Sequence, residues 1–221
     1  MATDYEQLQG HIIQCAVRSI PRGFLEDFQR RTEHVYKELF QEVLTDPAIL
    51  PEQRPAKLID NRFYRMEWEL AQAAKAHGLN VTSHPIPENG WSYTYVTAGD
   101  FGLTQSYTKD HGALPQPAKF LEALAMRAGV PRLPIDEPEE IFQLKKFYAL
   151  FAHTPMGKRF DEDHQKLGSL QLCVPCREMN AWGFELGTAE LLSHYPAAIE
   201  SGKIAPTRRA TPQWRTGTEG E

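Results

Sequence analysis

Cysteine is scarce in this chain: Cys15, Cys173 and Cys176 are the only three in 221 residues. An odd, low count excludes a disulfide-stapled secreted scaffold and implies a reducing compartment, with the cytoplasm as the expectation. Long apolar runs are missing too, and none approaches the roughly 20 residues that a membrane helix needs. The first residues, MATDYEQLQG, have neither a basic nor an apolar segment and do not read as a signal peptide. Basic charge is in deficit, with 24 Lys and Arg against 29 Asp and Glu, a net charge of −5. That balance disfavours nucleic acid and acidic membrane as partners, although a local basic patch would escape the test. There is no Walker A sequence, no G-x-G-x-x-G, no G-x-S-x-G and no H-E-x-x-H. Internal repeats and heptads are absent as well.

What is present begins with a hairpin. Residues 91–98 and 101–108 are rich in Trp, Tyr, Thr, Val and Phe, which suit a pleated, half-buried surface. Gly99-Asp100 between them has the chemistry of a tight two-residue turn. That turn pairs Ala98 with Phe101 and Val96 with Leu103, and alternation then sorts the faces. Val96, Ala98, Phe101 and Leu103 form an apolar face that reads as core. Trp91, Tyr93, Tyr95 and Thr97 share the other face with Gly102, Thr104, Ser106 and Thr108. An aromatic row beside small hydroxyl residues suits either a helix laid over it or a binding surface, and a covering helix is the default for an apolar sheet face.

Three helices are expected before the hairpin. Leu8, Ile12, Cys15, Ala16 and Ile20 make one stripe over residues 5–20. Pro21 opens a second helix to about Thr45, with Phe24, Phe28, Val35 and Leu39 inward. A third runs to His77 and stops at Gly78. A strand is expected near residues 79–84 and a short helix over 117–128. A loop rich in proline and acid is expected over 130–140. Residues 147–153, FYALFAH, read as a strand buried on both sides, and 169–176 as a strand that pairs with it antiparallel. Helices first and strands later imply α+β, with N-terminal helices packed on an antiparallel sheet built around the 91–108 hairpin. The expected organisation is one domain over 1–196, helical over 1–78 and sheet-rich over 79–196, with a disordered tail over 197–221.

Several residues carry chemistry. Glu67 falls inside the stripe made by Phe63, Met66, Leu70, Ala73 and Ala74, whereas Arg62, Arg65 and Glu69 read as its solvated side. An inward carboxylate needs a partner or a shifted pKa, which makes Glu67 a candidate acid or base, with His111 after the hairpin as a second catalytic candidate. The plainer alternative for Glu67 is a buried hydrogen bond to the sheet. Trp91, Tyr93 and Tyr95 are the candidate binding residues. Cys173-Val-Pro-Cys176 has the spacing of half a zinc site and would need histidines, with His164, His153 and His194 nearest in sequence. Chance placement of two cysteines near a strand end is the competing reading. Asp161-Glu162-Asp163-His164 reads as a solvated acidic loop.

Two spacings resemble known catalytic patterns. Asp100, Gln105 and Lys109 loosely resemble the acid, acid-or-Gln, Lys series of metal-dependent nucleases, which however separates the last two by one residue. Arg159 and His164 resemble the R-x4-H pair of HEPN-type ribonucleases, which are helical bundles, while strands flank this pair. The function expected first is a small binding or regulatory module acting through protein contacts, including self-association, with no cofactor. The alternative is a hydrolase such as a nuclease, using the inward carboxylate with His or a divalent metal. A zinc-stabilised domain acting on another macromolecule is the third.

Overall fold

The computed structural model describes residues 4–86, 90–131 and 143–196. The tail expected over 197–221 and most of the loop expected over 130–140 lie outside the described residues. The helical part comprises α1 (Asp4–Ser19), α2 (Arg22–Thr45) and α3 (Arg54–Ala76). Each was legible from its stripe: Leu8, Ile12, Cys15 and Ala16 are buried on α1, and Phe24, Phe28, Val35 and Leu39 on α2. Pro21 caps the start of α2, and Gly78 leaves α3 at φ +70, a conformation that glycine adopts without strain.

Among the described residues six strands follow: β1 (Asn80–Pro85), β2 (Ser92–Ala98), β3 (Phe101–Tyr107), β4 (Phe147–Pro155), β5 (Leu167–Pro175) and β6 (Trp182–Gly187). The helix α4 (Lys119–Ala128) lies between β3 and β4, and α5 (Thr188–Ser193) follows β6. The strands lie in the sheet in chain order. The hairpin has the expected register, Val96 opposite Leu103 and Ala98 opposite Phe101, and Gly99 takes the positive φ. β4 and β5 pair antiparallel as expected.

One pair departs from the antiparallel expectation: β3 and β4 run parallel, Phe101 opposite Phe147 through Tyr107 opposite His153. Parallel neighbours need a crossover, and α4 belongs to it. The crossover also explains how both faces of the sheet are covered. On one face Val96, Ala98, Phe101, Leu103, Phe147 and Phe151 join one core with α1, α2 and α3. On the other, Tyr148, Leu150, Ala152 and Cys173 pack with Leu121 and Ala125 of α4, and Tyr95 at the margin. All nine residues of β4 are buried. A continuous apolar run is what a strand covered on both sides requires.

Gly102 shows how tightly the aromatic side is fitted. The Tyr95 hydroxyl and ring carbon lie where a Cβ at 102 would stand. Gly102→Ala is therefore expected to destabilise the fold by about 1–3 kcal/mol. The loss should shrink in a Tyr95→Ala background, where the ring is gone. Urea unfolding of the two single variants and the double variant measures the coupling, and additive losses would contradict this packing.

Candidate functional site

Glu67 points from α3 into the sheet, as its place in the stripe implies, and is 9 % exposed. Its carboxylate accepts hydrogen bonds from the Thr94 backbone N–H of β2 and from Gln105 Nε2 of β3, the latter at 2.6 Å. The Thr94 hydroxyl in turn donates to the Glu67 carbonyl at 3.0 Å. A helix is thus clamped to both strands of the hairpin through one residue.

The network continues inward with a fixed direction. Gln105 Oε1 lies 2.8 Å from His153 Nε2, and His153 Nδ1 lies 2.7 Å from the Tyr36 hydroxyl. Because Gln105 donates to the carboxylate, its oxygen faces His153. The imidazole must then carry its proton on Nε2, leaving Nδ1 to accept from Tyr36. Donors therefore run from Tyr36 through His153 and Gln105 to Glu67. Burial pushes the Glu67 carboxyl up to about 7, against the Thr94 and Gln105 hydrogen bonds that pull it down. Burial, reinforced by the Arg62 charge, pushes His153 down to about 3, so it is neutral in this network.

Arg62 corrects the sequence reading. Expected on the solvated side, it is fully buried, its guanidinium 4.0 Å from the centre of the Tyr36 ring. It donates to Gln165 Oε1 at 2.9 Å and to the Gln165 carbonyl at 2.6 Å. Glu69, also read as solvated, is 5 % exposed and receives Arg31 at 2.8 Å. The signal for Arg62 was its spacing, four residues after Leu58 and four before Met66, both buried. Residue type hid it, because a long stem can bury its carbons wherever the head finds acceptors.

The histidine in the Glu67 network is therefore His153. His111 lines a separate cleft beside β5, β6 and α2. The nuclease-like trio does not converge either. Gln105 meets Glu67, but Asp100 is in the hairpin turn, paired with Arg18 at 3.2 Å. Lys109 lies past the other end of β3 and lines a second cleft. At ~3.3 Å per residue the strand separates these two by roughly 20 Å or more.

The expected zinc set is likewise not assembled. Cys173 and Cys176 are buried near the end of β5, and Cys173 packs under α4. His164 precedes the start of that strand and holds Asp161 through Nδ1 at 2.7 Å. About 20 Å of strand lies between them. Burial raises the Cys173 thiol well above its ordinary value, which opposes the thiolate that zinc needs. Among the described residues no three His, Cys, Asp or Glu side chains stand together as a metal group.

The aromatic row divides. Tyr93 stacks on Phe120 of α4 at 4.4 Å, and Tyr95 packs at the margin of the same cluster. Trp91 leaves the row that alternation assigned it. It sits one residue before β2, and its ring meets Phe63 and Tyr64 of α3 at 5.3 and 5.1 Å. The pleat ends at Ser92, so alternation no longer governs residue 91. Trp91 thereby joins the exposed ring of Tyr64, and one turn along α3 the exposed Trp68 ring stands 5.6 Å from Arg65.

No family model, curated protein or solved structure matches this chain. Among the described residues no helix is long and apolar enough to cross a membrane.

The Glu67 network sets a pH signature. A carboxyl raised from 4.5 to about 7 takes up a proton on folding, so its contribution to stability is full below 4.5 and is lost as pH rises to 7. His153, lowered from 6.5 to about 3, contributes stability above 6.5 that is lost as pH falls. Between 4.5 and 6.5 the two slopes oppose. Glu67→Gln is expected to fold and to be more stable at pH 8 by on the order of 1–3 kcal/mol, since it removes a buried charge. Its stability should fall steadily below pH 6.5, with no opposing slope. The donor chain should also reverse, moving the His153 proton to Nδ1. Denaturant unfolding across pH and 15N imidazole NMR measure both effects; an unchanged pH profile would contradict the assignment.

Proposed function

We propose that this protein is a binding module that acts through protein contacts, with Tyr64, Trp68 and Trp91 as the core of the contact surface. The observation that carries this reading is the clustering of exposed rings. Tyr5, Tyr64, Trp68 and Trp91 are the exposed aromatic side chains among the described residues; the Tyr64 and Trp91 rings are in contact, and Trp68 lies one helical turn from Tyr64 on α3. Tyr64 and Trp68 are four residues apart and therefore share one helix face. Trp68 is 53 % and Tyr64 49 % exposed, although both are large enough to bury well. Tryptophan, tyrosine and arginine dominate the energetics of protein interfaces, and Arg65 beside Trp68 completes that composition.

The site differs from the row of Trp91, Tyr93 and Tyr95 inferred from the sequence. α4 occupies the face of Tyr93 and Tyr95, which leaves Trp91 to the new cluster. β1 adds to the surface. It is an edge strand, exposed along most of its length, and contains no lysine or arginine to discourage pairing. Weighing against the hydrolase alternative, the Glu67 carboxylate already accepts from two fixed donors, and neither described cleft has Glu67 in its lining.

A photoreactive phenylalanine analogue placed at position 68, in cells that naturally make the protein, tests the proposal. A discrete protein adduct is expected from position 68 and none from position 126, an exposed site on α4. Trp91→Ala should reduce the adduct by about tenfold. The adduct mass separates a second copy of this chain from a different protein. Equal labelling at 68 and 126, or none at 68, would sink the proposal. Trp91→Ala should change stability little, by roughly 0.5–1 kcal/mol, so loss of the adduct would not reflect unfolding.

A further inference from the structure

We propose that the cleft at the end of β6 binds a ligand carrying a guanidinium or primary ammonium group on a short aliphatic stem. The cleft is about 600 Å³, within the size range of small-molecule sites. Its base is built by alternation on two adjacent strands. Ser169 and Gln171 project from β5 to one face, and Glu185 projects to the same face of β6, opposite Cys173. Two of the three present a buried atom that the described residues leave without a partner. Ser169 Oγ and Glu185 Oε2 are buried with no hydrogen-bond partner among the described residues. Gln171 is only 6 % exposed and lines the cleft. A buried polar group left open costs about 1–3 kcal/mol, so two together at one cleft, with the Gln171 amide between them, point to a ligand that completes them.

The room above them comes from Gly187, which pairs with Gln171 across the strands. Among the described residues nothing lies within 4 Å of where its Cβ would be. Its backbone, at φ −59, is open to any residue, so glycine here is not demanded by the chain and leaves space instead. His111 enters from the loop after β3. That loop is fastened by Trp182 Nε1 donating to the Gly112 carbonyl at 3.1 Å.

Charge selects the ligand. Glu33, Glu185 and Glu190 line the cleft, and among the described residues no lysine or arginine does. Gln29 already donates to Glu33 at 3.2 Å, which leaves Glu185 as the deep anionic group. A guanidinium or ammonium group supplies donors to a carboxylate, a hydroxyl and an amide oxygen at once. Leu167, Leu186 and Ala189 line the cleft as well and suit an aliphatic stem. The same chemistry is carried by a free amine such as agmatine and by an arginine side chain in a peptide. The inference does not depend on the aromatic surface of α3.

Calorimetric titration of the full chain tests this with agmatine and with an arginine-centred neutral pentapeptide, glutarate serving as the anionic control. Saturable binding of at least one cation is expected, weakening as salt rises, with none for glutarate. Binding of agmatine alone identifies a free cation; binding of the peptide alone identifies a side chain of a partner. Glu185→Gln should weaken binding by about tenfold or more. Gly187→Leu should abolish it by filling the space, with the circular dichroism and melting temperature held, and it serves if Glu185→Gln fails to fold. No saturable binding of either cation, or equal affinity in Gly187→Leu, overturns the proposal.

Discussion

The clamp between Glu67 and the hairpin is the constraint on which much of the rest depends. One carboxylate on α3 receives a backbone N–H from β2 and a side-chain amide from β3. Apolar contact alone would let a helix slide over a sheet, because hydrophobic attraction has no direction. Two hydrogen bonds to fixed strand positions set the helix register. The Gln105 amide then dictates the tautomer of His153, and His153 the orientation of the Tyr36 hydroxyl on α2. A single polar thread thus ties two helices to three strands inside the core.

That thread ends against a second buried polar group. Arg62 lies over the ring of Tyr36 and is held by Gln165, which itself donates to the Gly157 and Arg159 carbonyls. The loop after β4 is therefore shaped by a guanidinium that comes from α3. Burying a charge on this scale is costly unless it is hydrogen-bonded, and such a network favours one arrangement over slipped alternatives. The consequence for function is a division of labour. Glu67, Gln105, His153 and Tyr36 are engaged with one another, and the groups proposed to meet outside molecules stand elsewhere: rings on the outer face of α3, and unpartnered polar side chains at the end of β6.

Much of this was legible residue by residue. Glu67 could be placed inward because helical spacing sets which residues share a face. Its partner could not be named, because Gln105 is 38 residues away and His153 is 48 residues beyond Gln105. Arg62 sat on the buried spacing and was assigned to solvent by its type. Trp91 was assigned to a face by an alternation that stops one residue after it. His111 and Glu67 were joined only because each was a plausible acid or base.

By itself the sequence determined the helical stripes, the hairpin register around Gly99 and the inward direction of Glu67. Those follow from the local geometry of the chain, where 3.6- and 2-residue periods decide which side is apolar. Only the tertiary structure decided that β3 and β4 run parallel, that α3 covers the face of Val96 and α4 that of Tyr95, and that Ser169, Gln171 and Glu185 share one cleft. A period states that a face must be covered and is silent about which distant segment covers it. That choice is made by the joint packing of all the elements, and the proposed sites lie where the packing leaves polar groups and rings without a cover.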